Sequence, residues 1–306
     1  MIATLTINPA LDLNTHISGL VPEKKLRCTA PDYFPGGGGI NVSRALARLH
    51  QASMPIYVAG GPAGKIIGDL LVEEGISPQT IEVETWTREN ITVKDDASGS
   101  QYRFTFPGIP LPKNDENKVL EFMKNIRPFP QFLVLSGSFA PDFSLEFIKK
   151  LKTICDLHKS KLIVDTSGPY LKEAVQASVY MIKPNYQELC ELAEIKGEDL
   201  HDVQAIARKV IQEFGVETVL VSLGANGASM ITKDEFYHVH APKVPIKSTV
   251  GAGDSMLAGV LFALVNGKPL TEVLKWGVAC GTATTMNEGT GLFKKDQVEK
   301  VLGLIP

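Results

Sequence analysis

Phe132-Leu133-Val134-Leu135, then residues 145–157 with Leu145, Ile148, Leu151, Ile154 and Cys155 at helical spacing, then Leu162-Ile163-Val164: this stretch decides the fold. A short unbroken apolar run is what a strand buried on both faces needs, whereas a strand with one wet face alternates. The amphipathic stretch between the two runs reads as a covering helix. The rhythm continues through Val179-Tyr180-Met181-Ile182, a helix from about Glu188, a longer helix over 203–214, and Val219-Leu220-Val221. Strands alternating with helices predict a mainly parallel sheet with helices on both faces, an α/β fold. Toward the N-terminus, residues 1–7 read as another core strand and 41–49 as a helix. Two segments differ in kind, 13–27 and 90–106. The second alternates Ile91 and Val93, turns through Asp95-Asp96-Ala97-Ser98-Gly99, and resumes at Tyr102, Phe104 and Phe106, a hairpin signal. Together they predict an antiparallel excursion, a small β-sheet lid over an active site. No internal repeat or low-complexity linker divides the chain, so one domain over residues 1–306 is expected.

Composition is consistent with that reading. Of 306 residues, 44% are hydrophobic and 21% charged, enough to bury a large core. A formal net charge of −3 gives no electrostatic case for a nucleic-acid partner, so attraction for an anionic ligand must come from locally clustered cations. Cys28, Cys155, Cys190 and Cys280 are far apart and form no Cys-x-x-Cys pair, which argues against a zinc site or disulfide framework. The N-terminus lacks a basic leader, and no apolar run approaches the roughly 20 residues that span a bilayer. A cytoplasmic protein is expected.

The strongest local signal is Ser248-Thr249-Val250-Gly251-Ala252-Gly253-Asp254-Ser255, running into an apolar helix. Glycines let backbone approach a ligand closely, and free N–H groups at a helix start bind anions. A carboxylate there makes chemical sense if a hydroxyl must be deprotonated beside a phosphate, and the helix dipole favours its ionised form. The plain alternative is a tight turn capped by Asp254. A second signal, Pro35-Gly36-Gly37-Gly38-Gly39-Ile40-Asn41-Val42, enters another helix. Four successive glycines are costly in conformational entropy, so close contact with a ligand is the expected reason, with Asn41 able to bond a sugar hydroxyl. A flexible turn near a helix cap remains the alternative.

Other motifs fail. In Gly60-Gly61-Pro62-Ala63-Gly64-Lys65-Ile66, Ala59 and Ile66 stand where a phosphate-binding P-loop needs Gly and Ser or Thr. The dinucleotide fingerprint, the nucleophile elbow and the protein-kinase catalytic loop are also missing. Lys183-Pro184-Asn185-Tyr186-Gln187-Glu188, at a strand end entering a helix, fits both a magnesium-and-phosphate pair and a simple capping box. Ser222-Leu223-Gly224-Ala225-Asn226-Gly227 lies at the carboxyl end of a strand, where open α/β sheets collect ligands, and a plain turn would look the same. Cations cluster in the lid segments and near them: Lys24, Lys25, Arg27, Arg88 and Arg103, a set that supports a phosphate-bearing substrate. The six histidines, His16, His50, His158, His201, His238 and His240, show no catalytic or metal-ligand spacing.

In combination and in this order, Asn8-Pro9-Ala10-Leu11-Asp12, the glycine run before Asn41, Asn185-x-x-Glu188 and Gly251-Ala252-Gly253-Asp254 resemble the ribokinase-like sugar kinases of the pfkB type over nearly the whole chain. Within that family the 6-phosphofructokinase branch of enteric bacteria is most similar, on Lys25-Leu26-Arg27-Cys28-Thr29-Ala30-Pro31, Thr87-Arg88-Glu89-Asn90 and Ala97-Ser98-Gly99-Ser100-Gln101-Tyr102-Arg103-Phe104. Related kinases of fructose 1-phosphate and tagatose 6-phosphate usually carry Lys where this chain has Gly38, which favours fructose 6-phosphate. The resemblance implies a three-layer α/β/α core and ATP-dependent phosphorylation of the sugar C1 hydroxyl. It implies Asp254 as general base, the Gly251, Ala252 and Gly253 amides and Lys25 around the transferring phosphoryl group, and Asp12, Gly37 and Asn41 on the sugar hydroxyls. Arg27, Arg88, Arg103, Ser138 and Lys25 are implied for the 6-phosphate, some reaching across a homodimer made by paired lids. Lys183, Asn185, Ser222, Gly224 and Gly227 would line the ATP site, with Glu188 organising Mg²⁺ through water. Ser248, Val250, Asn287 and Gly289 resemble a K⁺ loop, although Gly291 follows Thr290 where relatives commonly carry Arg. Rival readings are a kinase for tagatose 6-phosphate or fructose 1-phosphate, a nucleoside kinase, which would leave the lid cations without a purpose, and a non-catalytic sugar-phosphate-binding regulator, which would have no use for Asp254.

Overall fold

The computed structural model describes residues 1–195 and 202–306; His201 lies outside them. Nine strands form the large sheet. In chain order they are β1 (Ile2–Thr6), β4 (Ser53–Ala59), β5 (Gln79–Glu82), β8 (Phe132–Ser136), β9 (Lys161–Asp165), β10 (Met181–Ile182), β11 (Thr218–Ser222), β12 (Ala228–Thr232) and β13 (Phe236–Val239). Their spatial order is β13-β12-β11-β10-β9-β8-β1-β4-β5, parallel except for the antiparallel edge pairs β11–β12 and β12–β13.

The apolar runs are continuous because successive residues feed two different cores. Leu133, Leu135, Leu162, Val164 and Ile182 join one cluster, whereas Phe132, Val134, Ile163 and Met181 join the other. The first cluster is covered by α3 (Lys113–Asn125), α4 (Phe147–Leu157), α5 (Gly168–Gln176), α6 (Tyr186–Leu192) and α7 (Val203–Phe214). The second lies under α1 (Gly38–Arg48), α8 (Ala252–Val265), α9 (Leu270–Thr285) and α10 (Lys295–Leu302). Three layers result, as the sequence implies. Two details differ. Helix α4 begins at Phe147, leaving Leu145 exposed ahead of it, and β10 is only two residues long, with Val179 buried in the approach.

The small sheet runs β3 (Asp32–Gly36), β2 (Ala10–Ile17), β6 (Arg88–Asp95), β7 (Gln101–Phe104). An antiparallel excursion is not quite what forms. β2 pairs with β3 and β6 with β7 antiparallel, but the central pair, β2 with β6, is parallel over Ala10↔Arg88 to Ile17↔Asp95. The strand in the first segment starts at Ala10, earlier than expected, and 18–31 carries none. Period-two alternation turns Leu11 and Leu13 toward a third apolar cluster with Tyr57, Ile67 and Leu71, built on β4 and α2 (Gly61–Glu73), and puts Asp12 on the opposite face.

Candidate active site

The carboxyl ends of β8, β9, β10 and β11 converge with the start of α8 on one cavity of about 300 Å³. Its lining includes Ser136, Ser138, Asp165, Lys183, Asn185, Glu188, Ser222 and Asp254. Parallel strands end together here, and ligands collect where they end.

Helix α8 is buried around most of its circumference, wedged between α1 and α9, so its first turn is fixed by packing. Gly251 is its N-cap at φ 73°, a left-handed conformation that costs a glycine little. The N–H groups of Gly251, Gly253 and Asp254 have no partner among the described residues, whereas Ala252 N–H is directed to Thr249 O at 3.3 Å. Of the three amides expected to bind phosphate, Gly251 and Gly253 are thus free, Ala252 is engaged, and the Asp254 amide is free beside them. A Cβ on Gly253 would come within 3.2 Å of Lys183 Nζ, so the lysine lies close against this turn.

Asp254 accepts from Asn41 Nδ2 at 2.9 Å. Desolvation at the cavity floor, together with the nearby Asp165 charge, pushes its carboxyl up to about 6, against the opposing Asn41 bond and Lys183. The helix dipole expected to hold it ionised is outweighed, and the group is left poised just below neutrality, where a general base works well. Lys183, only 7% exposed, pairs with Asp165 Oδ1 at 3.1 Å. Burial alone would lower its pKa, but Asp165, Asp254 and Glu188 together hold it above the usual lysine value. Asp165 escapes sequence reading. It is a lone acid ending β9, and its only signal is that position.

Asn185 and Glu188 form a reciprocal capping box on α6: Glu188 N–H donates to Asn185 Oδ1 at 2.9 Å and Asn185 N–H to Glu188 Oε2 at 2.8 Å. Both residues also line the cavity, so the structural and ligand-facing readings coexist. No group of three or more potential metal-ligating side chains occurs among the described residues. A magnesium ion here fits only as one carried by phosphate oxygens and water, with Glu188 beside it. Ser222 lines the same cavity, and its N–H donates to Pro184 O at 3.0 Å. Gly224 and Gly227 belong to the turn beyond it and do not line that cavity. Gly227 is required because a Cβ would collide with the Val239 carbonyl.

Packing alone constrains the glycine run. A Cβ on Gly36 would strike the Asp12 carboxylate, on Gly37 Thr6 Cγ2 at 2.7 Å, on Gly38 Ser136 Oγ and Gly137 N, and on Gly39 Thr6 Oγ1 at 2.6 Å. Close packing of α1 against β1 and β8, together with φ 124° at Gly37, demands these glycines without any ligand.

Asp12 accepts from Asn90 Nδ2 at 2.8 Å, directly across the parallel pair, and burial raises its pKa despite that bond and the nearby Arg88 and Arg44 charges. Arg88 donates to Phe106 O at 2.6 Å and to Asn8 O and Ser138 Oγ at 3.1 Å, while its Nε–H is buried without a partner. Arg88 and Ser138 are thus in direct contact. The other lid cations do not join them in one chain. Lys25 and Arg27 are exposed in the strandless segment 18–31 and make no hydrogen bond or ion pair among the described residues; Arg103 is exposed on β7 and donates to Gln101 Oε1 at 3.2 Å. In the implied K⁺ loop, Ser248 Oγ donates to Gly289 O at 2.9 Å and Val250 N–H to Ser248 Oγ at 3.2 Å. The Asn287 side chain is committed to Ala283 O and to Gln297, leaving its backbone carbonyl as the donor it can offer.

The model of the pfkB family carbohydrate kinases matches residues 6–297. ATP-dependent 6-phosphofructokinase isozyme 2 of Escherichia coli is 38% identical over 305 residues, covering 98% of this chain and 97% of that protein. The 1-phosphofructokinase of Bacillus subtilis is 31% identical, covering 95% and 94%. Phosphofructokinase-2 of E. coli superposes with a TM-score of 0.94 at 38% identity in its complex with potassium. Its complex with fructose-6-phosphate and its tetrameric inhibited form each give 0.91 at 36% identity, and all three cover 99% of this chain and 98% of that one. Arabidopsis thaliana ribokinase, at 20% identity with a TM-score of 0.77 over 98% of each chain, shares the fold.

Proposed function

The chain belongs to the pfkB family of carbohydrate kinases, and from that premise we propose that it transfers the γ-phosphoryl group of ATP to the C1 hydroxyl of fructose 6-phosphate. The observation that carries this reading is Asp254: a cavity-lining carboxylate with its pKa pushed up to about 6, in the first turn of a helix whose Gly251 and Gly253 N–H groups have no partner among the described residues. Asp254 takes the proton of the C1 hydroxyl as that oxygen attacks the γ-phosphorus in line. The free amides of Gly251 and Gly253 hold the equatorial oxygens as charge shifts toward the leaving ADP, a positioning and electrostatic task. Lys183, kept charged by Asp165, lies against Gly253 and adds a fixed cation. Asn185 and Ser222 line the nucleotide side, with Gly224 and Gly227 shaping the turn beyond. Glu188 is the residue that would hold, through water, a magnesium ion bound with the nucleotide, and such an ion would supply neutralisation of phosphate charge.

On the acceptor side, Asp12 with Asn90, the Gly37 backbone and Asn41 take the sugar hydroxyls, and Arg88 with Ser138 takes the 6-phosphate. Lys25, Arg27 and Arg103 complete that pocket from the small sheet of a second copy in a homodimer, which accounts for their exposure in one chain. The carbonyls of Val250, Asn287 and Gly289, with Ser248, take a potassium ion. A reducing cytoplasm suits the four free cysteines.

ADP release is measured with Mg-ATP and fructose 6-phosphate, tagatose 6-phosphate or fructose 1-phosphate. A kcat/KM preference for fructose 6-phosphate of about tenfold or more is expected. Preference for fructose 1-phosphate would move the acceptor assignment toward that of the B. subtilis relative and leave the base in place. No turnover with any of the three would remove the kinase reading.

A further inference from the structure

Behind Asn41 lies a side chain that the transfer reaction, as described, does not use. Arg44, one turn further along α1, is 2% exposed and the largest fully buried side chain. Glu74, at the C-terminal cap of α2, holds it: Arg44 Nε lies 2.9 Å from both carboxylate oxygens and Nη2 2.5 Å from Oε1. The remaining terminal nitrogen, Nη1, is directed to Pro35 O at 3.3 Å and to Asn41 Oδ1 at 3.4 Å. The other end of the same amide donates to Asp254.

A carboxamide beside a carboxyl group has two usable orientations. With its N–H₂ toward Asp254 it favours the carboxylate; turned over, its oxygen would accept a proton from the carboxylic acid and favour that form. A cation on the far side breaks the tie. Turning the amide would face N–H₂ toward the guanidinium, donor against donor, where Arg44 Nη1 already competes for the Pro35 carbonyl. We propose that Arg44, clamped by Glu74, is a positioning residue for phosphoryl transfer, locking the Asn41 amide in the orientation that keeps Asp254 ready to accept a proton. The inference rests on Asp254 being the base. A salt bridge serving only to join α1 to α2 would not require a link to Asn41.

Other charged groups also act on Asp254, Asp165 from β9 and Lys183 beyond β10, and Glu188 from α6 lines the same cavity and acts on Lys183. The Arg44 charge also acts on Asp12. Substitution of Arg44 leaves the first three in place, so a change in Asp254 that runs through the amide can be isolated.

The test is the pH dependence of kcat between pH 5 and 9 for the wild type, Arg44→Lys, Asn41→Ala and the double variant. Lysine retains a charge for Glu74 but loses the second arm that reaches Asn41. The acid limb of Arg44→Lys is expected to move up by about half to one pH unit, the size of one net hydrogen bond, with kcat near pH 9 within about threefold of the wild type. Asn41→Ala should move the limb the same way, and adding Arg44→Lys to it should move the limb no further. Glu74→Gln, which loosens the clamp without touching Arg44, should give a smaller shift in the same direction and serves if Arg44→Lys does not fold. An unmoved limb in Arg44→Lys, or an equal further shift in the Asn41→Ala background, overturns the proposal while leaving Asp254 as base. Failure of the base assignment reads differently: Asp254→Asn would then retain turnover.

Discussion

At the scale of single residues, Asp254 carries two opposed demands. Its carboxyl sits well above its ordinary value of 3.8, so as pH rises from about 4 through about 6 the folded protein gives up a proton that it holds more tightly than the unfolded chain does. Stability falls across that window and stays lower above it. Asp254→Asn removes the buried charge and is expected to raise Tm at pH 7.5 by roughly 2–4 °C, read by differential scanning calorimetry. The same variant should lower kcat by at least about a hundredfold with nucleotide affinity largely kept. A fall in Tm would mean that the carboxylate is better satisfied than its surroundings imply. Asp254 was legible in the sequence because an acid after Gly-Ala-Gly at a helix start is distinctive. Asp165 and Arg44 were not, because what defines them is the side chain opposite, and residues 18 and 30 positions from their partners leave no local pattern.

At the scale of elements, the sequence reading was strongest where burial writes itself into a run of residues. Strands β8, β9 and β11 are continuous apolar runs because each feeds both cores. The glycine run was legible as a constraint, and its packing against β1 was not, since ligand contact and close packing both call for a missing Cβ. Helix α6 shows an ambiguity that was genuine: the capping box and the cavity lining are the same two side chains. Asn185→Ala is therefore expected to have two effects. Loss of the cap should cost about 1 kcal/mol of stability in urea unfolding, and KM for Mg-ATP should rise severalfold while KM for the sugar phosphate holds. A stability loss with both KM values unchanged would reduce Asn185 to a cap.

At the scale of the whole molecule, the small sheet is the unfinished part. Strand β7 is exposed at every residue, and Tyr102, Phe104 and Phe106 are 38%, 48% and 51% exposed at an edge with no further strand. Apolar edges of this kind are covered in most proteins. On the homodimer proposed above, Phe104→Asp is expected to shift the protein to monomer in sedimentation velocity and to raise KM for the sugar phosphate by about tenfold or more, because Lys25, Arg27 and Arg103 of the second copy would be lost. A monomeric wild type would place those cations outside the site. The sheet's internal wiring had no signature in the sequence, because a parallel pairing between Asp12 and Asn90 joins segments separated by β3, α1, β4, α2 and β5. That wiring also sets how far apart in the chain the joints lie. The hairpin of β6 and β7 closes within a few residues, the β2–β6 pair begins between Ala10 and Arg88, and the Asn41–Asp254 hydrogen bond joins residues 213 positions apart. High contact order makes such joints slow to form. The small sheet therefore draws on shorter loops than the catalytic floor does, and its strands can find one another without waiting for the C-terminal helices.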